Sequence, residues 1–575
     1  DNKSIAKVFD EMADILESGG ADFFRVNAYR KAARTVENLA VDLRKMVDEN
    51  PYDIDKIPGI GKALKDKIIE LVQSGKCREH EKMKKGFPKG LLEMLDIRGL
   101  GPKKVKLFYA ELGIQTLKQL KDAATKGVLR ELPGMGEKSE SEILKAMEEH
   151  SQFSTERHLI HEALQEAQNY INYLKKCSFV KQVEYAGSLR RRQESIGDID
   201  LLVTVKDPGK SHAIVMQHFT NYKEVLNVIA QGDTKSSVIL TSGINVDLRV
   251  VAEESFGAAM HYFTGSKEHN VHMRSLAIKK ALKLNEYGLY KGEKMVAGKS
   301  EEDIFKTLDL PYVIPELRKN DGEIEYGLQH KKYPNFVELK DIKGDLHSHS
   351  TYSDGKNSIE EMAEAFIKKG YEYFAMTDHS SIMGVTGGMG SADIKRQWKE
   401  IDKLNEKLKG KIRILKGSEV DILKDGSLDF EDTILKELDI VVISAHMFNR
   451  LGRDEQTKRL IRALENPYVK ILGHPTGRLI NKRPEMDFDM GKVIDACVQN
   501  GVAIEINANP NRLDLVDKYV RIAKDKGALF SIDTDSHSVY NPDFMQFGVG
   551  IARRGWLTKS EVINTRTLSG LFDSK

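Results

Sequence analysis

Seven apolar runs in the C-terminal half of this chain, each closing on polar and mostly ionisable residues, limit its fold more than any other feature. They span 344–347, 373–379, 413–419, 440–446, 470–474, 502–507 and 529–537. A short apolar run without alternation fits a strand buried on both faces, as in a parallel sheet. Amphipathic helical patterns at 358–370, 391–409, 453–465 and 514–527 separate most of the runs. Repeated strand–helix units predict a parallel α/β barrel with its chemistry at the C-terminal ends of the strands. Seven runs, where a barrel of this kind has eight strands, leave its closure open.

The strand ends themselves point to a metal centre. All six histidines beyond residue 341 lie there: His347, His349, His379, His446, His474 and His537. Asp354, Glu419 and Asp535 accompany them. Imidazole nitrogen and carboxylate oxygen without thiolate suit Zn²⁺, Mn²⁺ or Fe²⁺ better than Mg²⁺ alone. Nine such ligands exceed the need of one ion, so two or three ions sharing a carboxylate are expected, a cluster that activates water against a phosphodiester.

A different chemistry occupies the middle of the chain. After a helical segment, β-rich runs begin at Val183, Asp198, Ser237 and Asn245. Residues two apart on a strand share a face, so Asp198 and Asp200 point into one cleft. Paired carboxylates repel unless a cation lies between them. Asp247, on another run, is available as a third acid, and three can hold two Mg²⁺ that share a nucleotide's phosphates. Gly187 and Ser188, with the arginines at 190–192, offer N–H, hydroxyl and guanidinium groups to those phosphates.

The first 150 residues follow a helical period, as in Ile5, Val8, Phe9, Met12, Ile15 and Leu16. Within them an apolar–Pro/Arg–Gly–apolar–Gly motif followed by lysine recurs at 57–62, 97–103 and 132–138. A Gly-x-Gly turn feeding a helix leaves N–H groups open at the positive helix end, where a phosphate fits, and glycine permits its close approach. This helix-hairpin-helix pattern makes Gly59, Gly61, Lys62, Gly99, Gly101 and Lys103 the candidate contacts to a DNA backbone. The third copy sets Glu137 beside Lys138 and also suits packing. The whole chain is nearly neutral, with 89 Lys/Arg against 87 Asp/Glu, but residues 56–106 hold 14 basic against 6 acidic side chains. Such a local excess is the electrostatic mark of a phosphate-binding surface.

Three cysteines, Cys77, Cys177 and Cys497, stand far apart with no Cys-x-x-Cys pair. This argues against a disulfide scaffold or a thiolate zinc site and suits a reducing cytoplasm. No apolar run approaches the ~18 residues that span a bilayer, and no signal-peptide pattern opens the sequence. A cytoplasmic protein with no membrane partner is expected.

Taken in order, Gly187–Ser188, Asp198–Asp200, Asp247, the stretch Tyr262 to Ser266, Asn270 and Arg274 resemble the family X DNA polymerases, and Asn27 to Ala33 resembles their small amino-terminal domain. The resemblance covers about 1–315. It implies that Asp198, Asp200 and Asp247 hold Mg²⁺ or Mn²⁺, with Asp247 activating the primer 3′-hydroxyl. Ser188, Arg191 and Gly197 would meet the triphosphate, Tyr262, Phe263 and Gly265 the sugar, Asn270 the base edge and Arg274 the template strand. Lys67 falls where some members carry a lyase lysine that forms a Schiff base with an abasic sugar. Asp345 to Ser350, Thr377 to His379, Ser444 to His446, Gly473 to Pro475 and Asp535 to His537 resemble the PHP (polymerase and histidinol phosphatase) family. That likeness covers about 338–575 and implies the nine ligands named above, with two or three Mn²⁺, Zn²⁺ or Fe²⁺ ions. Asp533 competes with Asp535, and the Asp-x-His spacing favours Asp535.

The expected fold is multidomain: a helical helix-hairpin-helix N-terminal region, an α+β nucleotidyltransferase palm with a thumb, and a C-terminal distorted (β/α)7 PHP barrel. Boundaries are expected at 1–90 and 91–155 for two helical DNA-binding domains, 156–255 for the palm and 256–315 for the nucleotide-binding thumb. A polar linker at 316–337 would precede the PHP domain at 338–575. The implied function is a monomeric DNA-directed DNA polymerase that takes dNTPs and gapped or primer–template DNA and fills short gaps in repair. The PHP domain would add 3′-5′ exonuclease, and also AP endonuclease or 3′-phosphatase, activity. Three alternatives stay open. The transferase could be template-independent, against which Arg274 and the tandem repeats speak. The barrel could act on a small phosphoester. The chain could be a non-catalytic DNA-end scaffold, against which the intact acids and histidines speak.

Overall fold

The computed structural model describes residues 2–18, 23–37, 43–49, 51, 54, 57, 59–84, 89–95, 97, 100–153, 157–380, 387–449 and 451–572. The chain divides into two compact units, Asp1–Glu156 and Arg157–Lys575.

The first unit is helical throughout its described residues. Helices Asn2–Ser18, Phe23–Glu37, Leu43–Glu49 and Lys62–Ser74 bury Phe9, Met12, Ala33, Val36, Leu43 and Ile68 together. Helices Lys89–Leu95, Pro102–Leu112, Leu117–Thr125 and Glu137–Phe153 enclose a second core around Met94, Val105, Phe108, Leu120 and Leu129. Gly61 and Gly101 cap Lys62–Ser74 and Pro102–Leu112 in extended conformation with no side-chain cap, so the first-turn N–H groups have no capping side chain. Gly59 takes φ +85°, a region that favours glycine. Gly99 lies outside the described residues. In the third copy Glu137 stands in the first helical turn and buried Glu140 pairs with Arg130 at 2.8 Å.

The second unit begins with a five-stranded sheet: β1 (Val180–Tyr185), β2 (Asp198–Val205), β3 (Val225–Gln231), β4 (Lys235–Leu240) and β5 (Asn245–Val250). Their spatial order is β1-β2-β5-β4-β3, and only β2 and β5 run parallel. The inner face of β2 buries Ile199, Leu201 and Val203 against helices Ile160–Leu174 and Pro208–Thr220. Helices Phe256–Thr264 and Lys267–Lys279, a strand pair Leu289–Lys291/Lys294–Ala297 and helix Glu301–Thr307 follow.

The 316–337 stretch is not the polar linker its weak periodicity suggests. It forms helix Glu323–His330 and buries Leu317, Arg318, Glu323 and Ile324. Arg318 and Glu323 are inside because they are paired, with Glu301 and His269, a pattern that hydropathy cannot show.

The expected barrel has seven strands: β6 (Gly344–Asp345), β7 (Tyr373–Met376), β8 (Arg413–Asp421), β9 (Ile440–Ser444), β10 (Ile471–Leu472), β11 (Ala503–Asn507) and β12 (Phe530–Asp533). They pair in chain order and all in parallel. The barrel is nearly closed. Ser348 bridges Ser536, and the His349 N–H donates to the Ser536 carbonyl at 2.7 Å. Leu346, Tyr373, Leu415, Val442 and Ile471 form one buried layer, while the outer helices cover the other side. Helix Ile359–Lys368 is typical: a Ser358/Glu361 capping box starts it, and Ile359, Met362, Ala363 and Phe366 form its buried stripe. Phe366 packs on Phe374 at 4.7 Å between ring centroids, a contact whose loss in Phe366→Ala would cost ~3–5 kcal/mol. Helix Met490–Asn500, between β10 and β11, buries Val493, Ile494, Ala496 and Cys497.

Candidate active sites

Strand β2 carries Asp198 and Asp200, and its parallel pairing with β5 sets Asp200 opposite Asp247. Burial pushes the Asp200 carboxyl up to about 7, and the charges of Asp198 and Asp247 push the same way. Asp247 is balanced by Lys235 Nζ at 2.8 Å and accepts from Ser237 Oγ at 2.6 Å. Two acids that oppose the ionisation of the buried Asp200 make with it a fit for divalent cations, which would relieve the repulsion.

One cavity of about 990 Å³ gathers most of the remaining sequence candidates. Asp198 and Asp200 line it with Gly187, Ser188, Arg191 and Gly197. Tyr262, Phe263, Gly265, Asn270 and Arg274 line it from the helical side. Gly187 turns with φ +64°, and a Cβ there would stand 2.5 Å from Asp200 Oδ2, so only glycine brings this turn against the carboxylate. Gly265, at φ +69°, similarly lies against Arg191, whose Nη1 donates to the Thr264 carbonyl. Burial and the neighbouring Arg554 charge lower the Arg191 guanidinium to about 10, which still leaves it cationic at neutral pH. Its Nε has no hydrogen-bond partner, and neither has the buried Asn270 Oδ1, while Asn270 Nδ2 donates to the Tyr262 carbonyl at 2.7 Å. Arg249 stacks over the Phe263 ring at 4.4 Å.

Arg190 does not join the phosphate group. It pairs with Glu301 at 2.6 Å and donates to Thr264 Oγ1 at 2.7 Å. Arg318, wholly buried, reaches the same Glu301 at 2.6 Å, and its carbonyl accepts the Ser266 N–H at 3.1 Å. Burial alone would raise Glu301, yet Arg318 and Arg190 hold it far below the usual carboxylate range. Arg157, Gln193, Asn245 and Lys267 also line the cavity and were not singled out from sequence. Only Lys267, directly after Gly265 and Ser266, carried a positional signal.

In the first unit Lys67 Nζ lies 2.9 Å from Glu79 and over the Tyr29 ring. Burial would lower the amine, but Glu79 and Tyr29 raise it, so Lys67 rests as an ammonium.

At the C-terminal mouth of the barrel, Glu419 is the hub of a buried cluster. Its Oε2 lies 3.2 Å from His347 Nε2, 3.5 Å from His349 Nε2 and 3.0 Å from His379 Nδ1. Its Oε1 lies 3.2 Å from His446 Nε2 and 2.9 Å from His474 Nε2. Asp354 Oδ1 meets His379 Nε2 at 3.4 Å and His537 Nε2 at 3.2 Å, and Asp535 Oδ1 meets His349 Nε2 at 3.1 Å. Three overlapping groups of potential ligands result: His349/Asp354/His379/His537, His347/His349/Glu419/Asp535 and His379/Glu419/His446. Asp533 sits deeper and accepts the Leu346 N–H at 2.9 Å, away from the imidazoles.

This donor set fits metal ions. Ring nitrogens of His347, His349, His379 and His474 and Glu419 Oε2 are buried without hydrogen-bond partners. Burial, with His537 and His379, lowers His349 to about 4, and burial with Arg512 lowers His474 to about 3. Burial would also lower His347, but Glu505, Glu419 and Asp535 hold it well above its ordinary value. His349 and His474 are thus held neutral, and all these imidazoles crowd on shared carboxylates; nitrogen and oxygen donors so placed are those that a Zn²⁺, Mn²⁺ or Fe²⁺ cluster takes.

Two acids behind the ligands escaped the sequence reading. Glu505 accepts from His347 Nδ1 at 2.6 Å and from the His474 N–H at 2.5 Å, and Asp421 lies 3.3 Å from His446 Nδ1. An acid inside an apolar parallel strand was the available signal, because such a residue is costly there without a partner.

Comparison with known proteins gives matches along the chain. Residues 1–77 match the model of a helix-hairpin-helix domain, 91–149 a SAM-like helix-hairpin-helix tandem, 259–319 the DNA polymerase beta thumb and 345–509 the PHP domain. The chain is 39% identical over 570 residues, 98% of each chain, to the DNA polymerase/3′-5′ exonuclease PolX of Bacillus subtilis (strain 168). A probable phosphatase of Thermoanaerobacter sp. (strain X514) is 33% identical over 233 residues, 38% of this chain and 89% of the relative. Among solved structures, the ternary complex of Leishmania infantum polymerase beta matches at 24% identity and TM-score 0.27, over 40% of this chain and 100% of that one.

Proposed function

Because this chain belongs to the family X DNA polymerase/3′-5′ exonucleases that end in a PHP domain, we propose that it fills short gaps in DNA repair with its palm and trims 3′ ends with its barrel. The observation that carries the reading is that Asp198 and Asp200, the latter in register with Asp247, line one cavity with the Gly187 turn, Arg191, Tyr262 and Asn270. Residues 1–90 and 91–155 would grip the DNA backbone, chiefly through Gly59, Gly61, Lys62, Gly101 and Lys103. Residues 156–255 would be the palm, 256–315 the thumb and 338–575 the nuclease.

Mg²⁺ or Mn²⁺ held by Asp198, Asp200 and Asp247 would stabilise charge on the reacting phosphate and the attacking and leaving oxygens. The residues of the chain do the rest. Ser188, the Gly187 turn and Arg191 hold the triphosphate so that its α-phosphate meets the primer 3′-oxygen in line, with pyrophosphate leaving. Asp247 takes up the 3′-hydroxyl proton. Phe263, braced by Arg249, and Tyr262 bound the sugar, and the free Asn270 Oδ1 accepts from the base edge. Arg274 holds the template strand.

At the barrel mouth His347, His349, Asp354, His379, Glu419, His446, His474, Asp535 and His537 would hold two or three Mn²⁺, Zn²⁺ or Fe²⁺ ions that supply a nucleophilic hydroxide. Glu505 and Asp421 orient the imidazoles of His347 and His446. The same centre could open an abasic site or remove a 3′-phosphate, and the similarity to a probable phosphatase supports that second reading. A monomer in the cytoplasm completes the proposal; among the described residues no helix is long and apolar enough to cross a membrane.

One assay tests the division of labour: gapped DNA with Mg²⁺ or Mn²⁺, with and without dNTPs, using wild type, Asp200→Ala and His349→Ala. Asp200→Ala should lose only extension and His349→Ala only degradation. Loss of both activities in either variant would contradict two separate sites.

A further inference from the structure

The turn that presents Arg191 is not held by the palm alone. Residues 191–194 lead from Arg191 towards Asp198, and the barrel touches them at three points. Arg554, at the end of helix Met545–Arg554, donates Nη1 to the Arg191 carbonyl at 3.0 Å. On the same helix a Cβ at Gly550 would stand 3.1 Å from Arg192 Cβ, so glycine admits the turn. Arg478, in the loop after β10, grips Glu194 with Nη1 at 3.2 Å and Nη2 at 2.8 Å.

Arg478 is committed on its other side as well. Its Nε donates to the Arg512 carbonyl at 2.8 Å and Nη2 to the Leu513 carbonyl at 2.6 Å, leaving its side chain only 10% exposed. It follows His474 by four residues, and Asn481 of the same loop donates to the carbonyl of Arg157, a cavity residue, at 2.8 Å. A two-nitrogen grip on a carboxylate fixes orientation as well as distance, which a lysine would not do.

We propose that the PHP barrel is a working part of the polymerase site: Arg478 and Arg554 are positioning residues that hold turn 191–194 where Arg191 meets the incoming triphosphate. This rests on the reading of the palm cavity as the nucleotide site. The physical reason is preorganisation. A phosphate contact on a short turn binds well only if the turn is already in place, and displacing it costs affinity. Here Glu194 and the Arg191 carbonyl, at the two ends of the turn, are both anchored from outside the palm.

The test is calorimetric titration of a dNTP with Mg²⁺ into the full chain bound to gapped DNA with a dideoxy-terminated primer. Arg478→Gln and Glu194→Gln are compared with wild type, alongside unfolding midpoints and steady-state gap filling. Each single variant should bind the dNTP about tenfold more weakly, with KM rising and kcat at saturation nearly unchanged. Variants that bind the dNTP as wild type does, even with a lowered midpoint, would show a plain structural staple and overturn the proposal alone. A wild type that binds no dNTP would overturn the nucleotide-site reading and this proposal together. If Arg478→Gln does not fold, Glu194→Gln carries the test, since its carboxylate is 34% exposed and leaves the barrel sequence untouched.

Discussion

Asp200 and Asp247 face each other in register across parallel strands, and the first of them is pushed up to about 7 by burial and by the charges around it. A pair so placed is unfavourable for the bare fold and useful only for what it binds. Asp200→Asn should therefore lower gap extension by about 10²–10³-fold. In chelator the same variant should gain about 1 kcal/mol of stability, because it removes a like charge from a crowded site. Scanning calorimetry with excess chelator reads the second effect, and a fall in midpoint would contradict the repulsion argued here.

Glu505 acts on the barrel centre through His347 Nδ1, at 2.6 Å. Glu505→Gln should weaken metal retention about 10–100-fold while leaving gap filling intact. Metal content after dialysis against graded chelator checks this, and 3′-5′ degradation should fall in step with the metal lost.

Glu301 lies between Arg190 and Arg318, 2.6 Å from each. Glu301→Gln strands two buried guanidinium groups and should cost ~3–5 kcal/mol. The pH dependence has a definite sign. A carboxylate depressed by its partners adds stability that is present above the ordinary value of 4.5 and is lost as pH falls through the folded value. The difference in unfolding midpoint between wild type and Glu301→Gln should thus be level from about pH 8 to 5.5 and shrink below about 4.5.

Lys67, held as an ammonium by Glu79 at 2.9 Å, bears on the lyase reading. Borohydride trapping on a 5′-deoxyribose-phosphate end should give an adduct that Lys67→Ala loses. Glu79→Gln should speed the adduct about 3–10-fold, because the free amine is the nucleophile. An undiminished adduct in Lys67→Ala removes Lys67 from that role.

What the sequence determined by itself was local and periodic. An unbroken apolar run such as Ile440 to Ser444 has one economical home, a strand covered on both faces, so the seven-stranded barrel was readable before any contact was known. The spacing of Asp198 and Asp200 put both on one face, and six histidines at strand ends implied a shared mouth, because parallel strands bring their C-terminal ends together. Charged residues whose partners lie far along the chain were not legible in this way. Arg190 reads as a phosphate contact beside Arg191, yet it turns to Glu301; Arg318 reads as linker, yet it is buried beneath the Thr264–Ser266 turn. Glu505 shows only as an acid in an apolar strand and Arg478 carries no pattern of its own; their roles depend on His347 and Glu194, 158 and 284 residues away. Periodicity reports which way a side chain points from its own backbone. Which charge it meets there is decided by register and packing between distant segments, and only the tertiary structure sets those.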